Sequence, residues 1–243
     1  MSTFAIALGL SLLGGLGGLL VASGVLLFTD EARARLVPWL VSYAVGALLG
    51  VSLLAILPEA LEALPPGNVF ATLLAGILLF FVLEKLVLWR HCHTHECEVH
   101  DNAASLVLIG DAFHNFVDGA VIAAAVMTSV PLGISTAIAV AAHEIPQEVG
   151  DFAILLHAGY SRQRALIVNA LSGAAGAAGA LLALIAFDLM PRVLPYALAL
   201  AAASFLYVAM ADLIPGLHRG RTDGSSFRQI LLVGAGIGTM LVF

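Results

Sequence analysis

The chain has 243 residues, 61% of them hydrophobic and 11% charged, with a mean hydropathy of +1.04. Soluble domains carry roughly half apolar and about a quarter charged residues, so a water-soluble globular protein is excluded and an all-α polytopic membrane protein is implied. The net charge of −6 says little about partners, and the positions of the charges say much more.

At about 20 apolar residues per crossing, the sequence predicts eight transmembrane helices, near 4–28, 38–58, 69–89, 103–128, 131–157, 164–187, 193–215 and 227–243. The first holds no charge, has no basic residue ahead of it and shows no small-residue cleavage site, so it reads as a spanning helix that is retained, not as a signal peptide. The segments are too long and too rich in Gly and Ala for barrel strands. Small residues such as Gly14, Gly15, Gly17 and Gly18 allow close helix packing.

Of the ten basic residues, only Arg192 falls in a loop after an even-numbered span. The rest, such as Arg33 and Arg35, Lys85 and Arg90, Arg162 and Arg164, and Arg219, Arg221 and Arg228, follow odd-numbered ones. The positive-inside rule then puts the odd loops in the cytoplasm and both termini outside. The loop at 90–102 is thereby cytoplasmic, and within it His91, His93, His95 and His100 stand among Cys92 and Cys97. Such a tract binds metal by composition, without a fixed fold. With both cysteines in this one loop there is no disulfide framework.

The stretch 110–151 places polar side chains where the apolar pattern leaves no room for them. Asp111, His114, Asn115 and Asp118 are spaced i, i+3, i+4 and i+7, which puts them on one stripe of the fourth span. In the fifth span His143, Gln147 and Asp151 form a second stripe, with Glu144 and Glu148 beside it. Pro146 lies inside that stripe, removes a hydrogen bond to the carbonyl of Ala142 and is expected to bend the helix. Asp111, Asp118, Glu144, Glu148, Asp151 and Asp212 are all expected at membrane depth with no Lys or Arg among them. An acidic lining without counter-charges calls for a cation. Imidazole with carboxylate suits zinc, iron, manganese and their relatives; the lack of Cys argues against copper(I), and the His against magnesium or calcium.

The segments HNFVDG at 114–119 and HEIPQEVGD at 143–151 resemble the paired signatures of the ZIP (Zrt/Irt-like) zinc and iron transporters, in particular the subfamily whose fifth helix reads HExPHExGD. LPEAL at 57–61, DFAILLHAG at 151–159, Asn169 with Leu171 and Ser172, and FLYVAMADLIP at 205–215 extend the likeness over most of the chain. The resemblance implies one eight-helix transporter domain over 1–243, with a transport bundle of helices one, four, five and six working against a scaffold of two, three, seven and eight. It implies His114, Asn115, Asp118, His143, Glu144 and Gln147 as direct metal ligands, and Asp111 and Glu148, with Asp151 beyond them, as the path in and out. It also implies a zinc cargo, with Fe2+, Mn2+ or Cd2+ as other ions of the same ligand preference, and a homodimer in a cell membrane, here the inner membrane of a bacterium. The partners are the divalent ion and the lipid bilayer, not nucleic acid. This chain departs from the pattern at Gln147, where the subfamily has His, at Gly176, where some members carry Glu, at Val51 and Ala55 in the second span, and at Gly216, which follows Pro215 where Glu is frequent.

Two other readings compete with transport into the cytoplasm. An intramembrane metal-dependent hydrolase would use the start of an HExxH motif at His143-Glu144, but Gln147 replaces its second His and Pro146 distorts the helix between them. A metal sensor would use the His-rich loop alone, and eight spans with an acidic path are more than an anchor requires.

Overall fold

The structure is a computed structural model that describes residues 3–91, 99–218 and 225–242. The described residues contain no strand and form eight helical rods. They are α1 (Thr3–Val25), α2 (Glu31–Ala63), α3 (Pro66–His91), α4 (Val99–Thr128), α5 (Val130–His157), α6 (Arg162–Leu189), α7 (Pro191–His218) and α8 (Ser225–Met240). Six of these, α1, α2, α3, α4, α6 and α7, are long and apolar enough to cross a membrane. The apolar content of α5 is diluted by Glu144, Glu148 and Asp151, and α8 has 16 residues, short of a full crossing. Large apolar side chains point outward along the rods, Leu20, Leu74 and Leu189 among them. With so apolar an exterior, lipid is the solvent this fold requires, and the protein is a multi-pass membrane protein.

Helix starts are set by local chemistry that hydropathy does not register. α2 begins well before residue 38 because the Thr29 hydroxyl accepts the Ala32 N–H at 3.3 Å, and its first turns carry Glu31, Arg33 and Arg35. Between the spans expected at 103–128 and 131–157 the turn is Ser129 alone, whose hydroxyl caps α5 by accepting from Leu132 N at 3.2 Å, with Pro131 in the first turn. Ser161 caps α6 in the same way through Arg164 N, after a turn in which Gly159 has φ 86°. Pro146 does not interrupt α5, which is helical throughout Val130–His157.

Two rods contain a π-helical turn, α2 at Val51–Ile56 and α7 at Val208–Leu213. A proline follows each at the same offset, Pro58 and Pro215. Proline lacks an N–H and crowds the carbonyl one turn back, so the wider turn relieves that contact without ending the helix.

The packing falls into two groups of rods. α1, α4, α5 and α6 contact one another, α8 lies along α2, and α3 lies along α7. Glycines set the closest approaches: Gly119 of α4 sits against the carbonyl of Gly176, and Gly179 of α6 against that of Phe116. Gly46 and Gly236 do the same between α2 and α8, beside a Tyr43–Thr239 hydroxyl hydrogen bond of 3.0 Å. Between α3 and α7, the Tyr207 hydroxyl donates to Glu84. α2 also packs on α5, which joins the two groups.

Candidate metal centre

α4 and α5 run antiparallel from their shared turn at Ser129, so the polar stripe of one faces that of the other. The Nε2 atoms of His114 and His143 meet at 3.0 Å. Asp118 Oδ2 lies 3.6 Å from His114 Nε2 and 3.0 Å from His143 Nε2. Glu144 Oε1 lies 3.5 Å and 3.7 Å from the same two nitrogens. Ligands bound tetrahedrally at the usual zinc–nitrogen and zinc–oxygen lengths stand about 3.3 Å apart. The four side chains therefore already have the mutual spacing of a metal's coordination shell.

Supporting contacts favour the same chemistry. The Nδ1–H of His143 donates to the carbonyl of Ala139 at 3.0 Å, which leaves Nε2 as the lone-pair nitrogen facing the cage. Asp118, His143 and Glu144 are at most 2% exposed, while the His114 side chain keeps 20% exposure and forms the cage's open side. Both oxygens of Asp118 and of Glu144 are buried without a hydrogen-bond partner. Their ion-pair partners among the described residues are the two imidazoles, with no Lys or Arg in reach. Carboxylates buried in this way are costly unless a cation or proton joins them.

A second group adjoins the first, because Glu144 belongs to both. Carboxylate oxygens of Asp111, Glu144 and Glu148 lie within 4.8 Å of one another, all buried. Asp111 also holds two amides: Asn115 donates Nδ2 to its backbone carbonyl at 3.2 Å and to Oδ1 at 3.0 Å, and Gln147 donates Nε2 to Oδ1 at 3.4 Å. The structure thus brings His114, Asp118, His143 and Glu144 together, and gathers Asn115 and Gln147 around Asp111. Asp151 lies one turn further along α5, half-buried.

Asp212, expected among the buried acids, has an exposed side chain in the π turn of α7. Residues 92–98, with His93 and His95, lie outside the described residues, as do the side chains of His91 and His100. Sequence spacing also gave no role to two residues of α6. Asn169 is fully buried with both amide atoms unpartnered, and Ser172, one turn on, donates its hydroxyl to the Leu108 carbonyl at 3.4 Å, close to Asp111. A pair of polar residues three apart in an otherwise apolar half-helix was the available signal.

The helix α1 closes the centre through its glycines. A Cβ at Gly18 would lie 2.9 Å from Glu144 Cβ, and one at Gly15 would lie 3.0 Å from Asn115 Oδ1. Only a bare backbone can pass this close to the ligand-bearing turns.

Lipid-facing helices around a buried cluster of two imidazoles and two carboxylates define a polytopic membrane protein with side chains placed where they could hold a metal ion. The sequence pattern of one family, described as ZIP Zinc transporter, matches residues 89–243. Zinc transporter ZIP13 of Pongo abelii is 33% identical over 233 residues, covering 88% of this chain and 69% of that protein. Zinc transporter foi of Drosophila melanogaster is 38% identical over 57% of this chain, and zinc transporter ZIP4 of Mus musculus 41% identical over 48% of it. The matched stretches span only 20% and 17% of those two longer proteins. The chain belongs to the ZIP zinc transporter family, whose members are transporters and not enzymes.

Proposed function

We propose that the chain carries zinc across the membrane into the cytoplasm. His114, Asp118, His143 and Glu144 bind the ion directly, and Asn115 and Gln147 join when their amides turn from Asp111 toward it. The observation that carries this reading is the four-ligand cage, whose donor spacings of 3.0–3.7 Å suit one transition-metal ion. The second group, Asp111 with Glu148, receives the ion through the shared Glu144 and passes it toward Asp151. Neighbouring stations that share a ligand let an ion move without being stripped of all its ligands at once.

The topology proposed is one domain over 1–243 with eight spans, both termini extracytoplasmic, and the loop 90–102 as a cytoplasmic metal-binding tract. The placement of Arg33, Arg35, Arg162 and Arg164 at one end of the bundle supports that orientation. The two packing groups support a transport bundle of α1, α4, α5 and α6 working against a scaffold of α2, α3, α7 and α8. The resemblance supports a homodimer in a bacterial inner membrane, and the ligand types admit Fe2+, Mn2+ or Cd2+ beside zinc. Purified protein in liposomes that enclose a zinc-sensitive dye tests the proposal. Zinc added outside raises the signal if the reading holds, and the absence of any protein-dependent rise would refute it.

A further inference from the structure

The first half of α6 closes the second carboxylate group from a side on which sequence spacing gave no ligand. α4 and α6 run parallel, because the Ser172 hydroxyl meets the carbonyl of Leu108 and, further along both helices, Gly179 packs on Phe116. The carbonyl of Gly173 and Oδ1 of Asn115 both lie within 3.0 Å of where a Cβ on Gly15 of α1 would stand, so those two residues are level. One turn back along each helix come Asn169 and Asp111, which share a level in turn. Ser172 and Gly173, three and four residues on from Asn169, face α4 and α1. The amide of Asn169 therefore points between those helices, into the part of the bundle where α6 also meets α5.

The polar atoms gathered there lack partners. Asn169 and Glu148 are fully buried and Asp111 is 4% exposed. Asp111 Oδ1 accepts the amides of Asn115 and Gln147, but Asp111 Oδ2, both oxygens of Glu148 and both amide atoms of Asn169 have no hydrogen-bond partner. An amide and two carboxylates left unsatisfied inside a membrane helix bundle are costly, and a cation completes all three at once. The donor set differs from that of the cage, since it holds oxygen alone. Oxygen sets that include a carboxamide suit divalent ions that keep part of their water shell, whereas the imidazoles of the cage suit a more fully stripped ion. We propose that Asp111, Glu148 and Asn169 form an all-oxygen site for a partly hydrated divalent cation, with Asn169 Oδ1 as its neutral ligand and Nδ2 donating to a carboxylate oxygen beside it. The inference rests on the transport reading above, within which an ion leaving the imidazoles starts to regain water at this level.

Mn2+ titration of the detergent-purified full chain, followed by electron paramagnetic resonance, tests this in a His114→Ala background, where the cage has lost one ring. The expected result is a bound Mn2+ with exchangeable water in its shell and no imidazole nitrogen coupling. Asn169→Leu, which keeps the branching of the side chain and removes its polarity, lowers the affinity of that site by about tenfold or more, and Asn169→Asp raises it. The same Asn169 variants in the otherwise unaltered chain give a second reading should His114→Ala fail to fold. Melting without metal separates a ligand from a structural contact: Asn169→Leu gives up no hydrogen bond, so the melting temperature holds or rises. Unchanged Mn2+ affinity in folded Asn169→Leu overturns the proposal. So does imidazole coupling on the only Mn2+ bound to His114→Ala, or an affinity loss that comes with a lowered melting temperature. Zinc flux decides the transport reading separately: a chain that binds Mn2+ through Asn169 yet passes no zinc keeps the site and loses the route.

Discussion

The Nε2 atoms of His114 and His143 stand 3.0 Å apart although 29 residues and a helix reversal separate them. With Nε2 of one neutral ring protonated, it can donate to the other, and two protonated rings repel. A shared metal ion makes the spacing favourable, since it needs both lone pairs on one side of itself. Removing either ring leaves Asp118 and Glu144 buried with one imidazole in place of two. His143→Ala is expected to lower zinc flux into liposomes by about 100-fold or more, because a direct ligand matters at least as much as the outer contacts of a metal site. Asp118→Ala should do the same. A flux within twofold of the parent in either variant, at equal protein content, would exclude this cage from the route.

Gln147 marks where this chain departs from the HExPHExGD pattern. Its amide donates to Asp111 and contributes no strong ligand of its own. Gln147→His adds an imidazole one turn from His143 and removes the donor that Asp111 accepts. Binding should tighten and release should slow, so the half-saturating zinc concentration falls and the maximal rate falls with it. A rise in both quantities would contradict the placement of Gln147 beside the ion path.

Much of the centre was legible because helical periodicity is a strong constraint: charged and imidazole groups at i, i+4 and i+7 in an apolar helix must share a face, and His114 with Asp118 does so. The pairing of helices four and five followed from the short gap between the expected spans 103–128 and 131–157. Spacing along one helix cannot say which rotamer a side chain adopts. It therefore could not show that Asp111 takes up the amides of Asn115 and Gln147, or that Glu144 serves two groups. Asp212 was expected among the buried acids and is exposed in a π turn, a feature that leaves no mark on a periodic pattern.

The glycine contacts predict two grades of damage. At Gly119 and Gly179 an added methyl meets the backbone carbonyls of Gly176 and Phe116, which cannot turn aside, so α4 and α6 must separate. Gly119→Ala should cost about 1–3 kcal/mol of stability and appear as a lower melting temperature of the detergent-solubilised protein. At Gly18 the methyl meets the Cβ of Glu144 at 2.9 Å, so the strain falls on a ligand. Gly18→Ala should reduce zinc flux more than it lowers the melting temperature, and Gly119→Ala the reverse. Identical ratios of the two losses in both variants would show that α1 does not set the position of Glu144.

The His-rich tract offers a separate measurement. The cage and the Asp111–Glu148 group form a complete set of stations without it, so deleting residues 91–100 should leave the initial rate of zinc entry within about twofold, as for surface changes away from structural features. In the proposed topology its soft and borderline donors lie on the side where the ion is released, which suits buffering or sensing of arriving zinc. The deletion should therefore change how flux responds as internal zinc rises: the parent slows as the tract loads, and the shortened chain does not. The assay compares dye signals in liposomes preloaded with increasing zinc. Complete loss of flux on deletion would make the tract an obligatory station and move the rate-limiting step out of the helix pair.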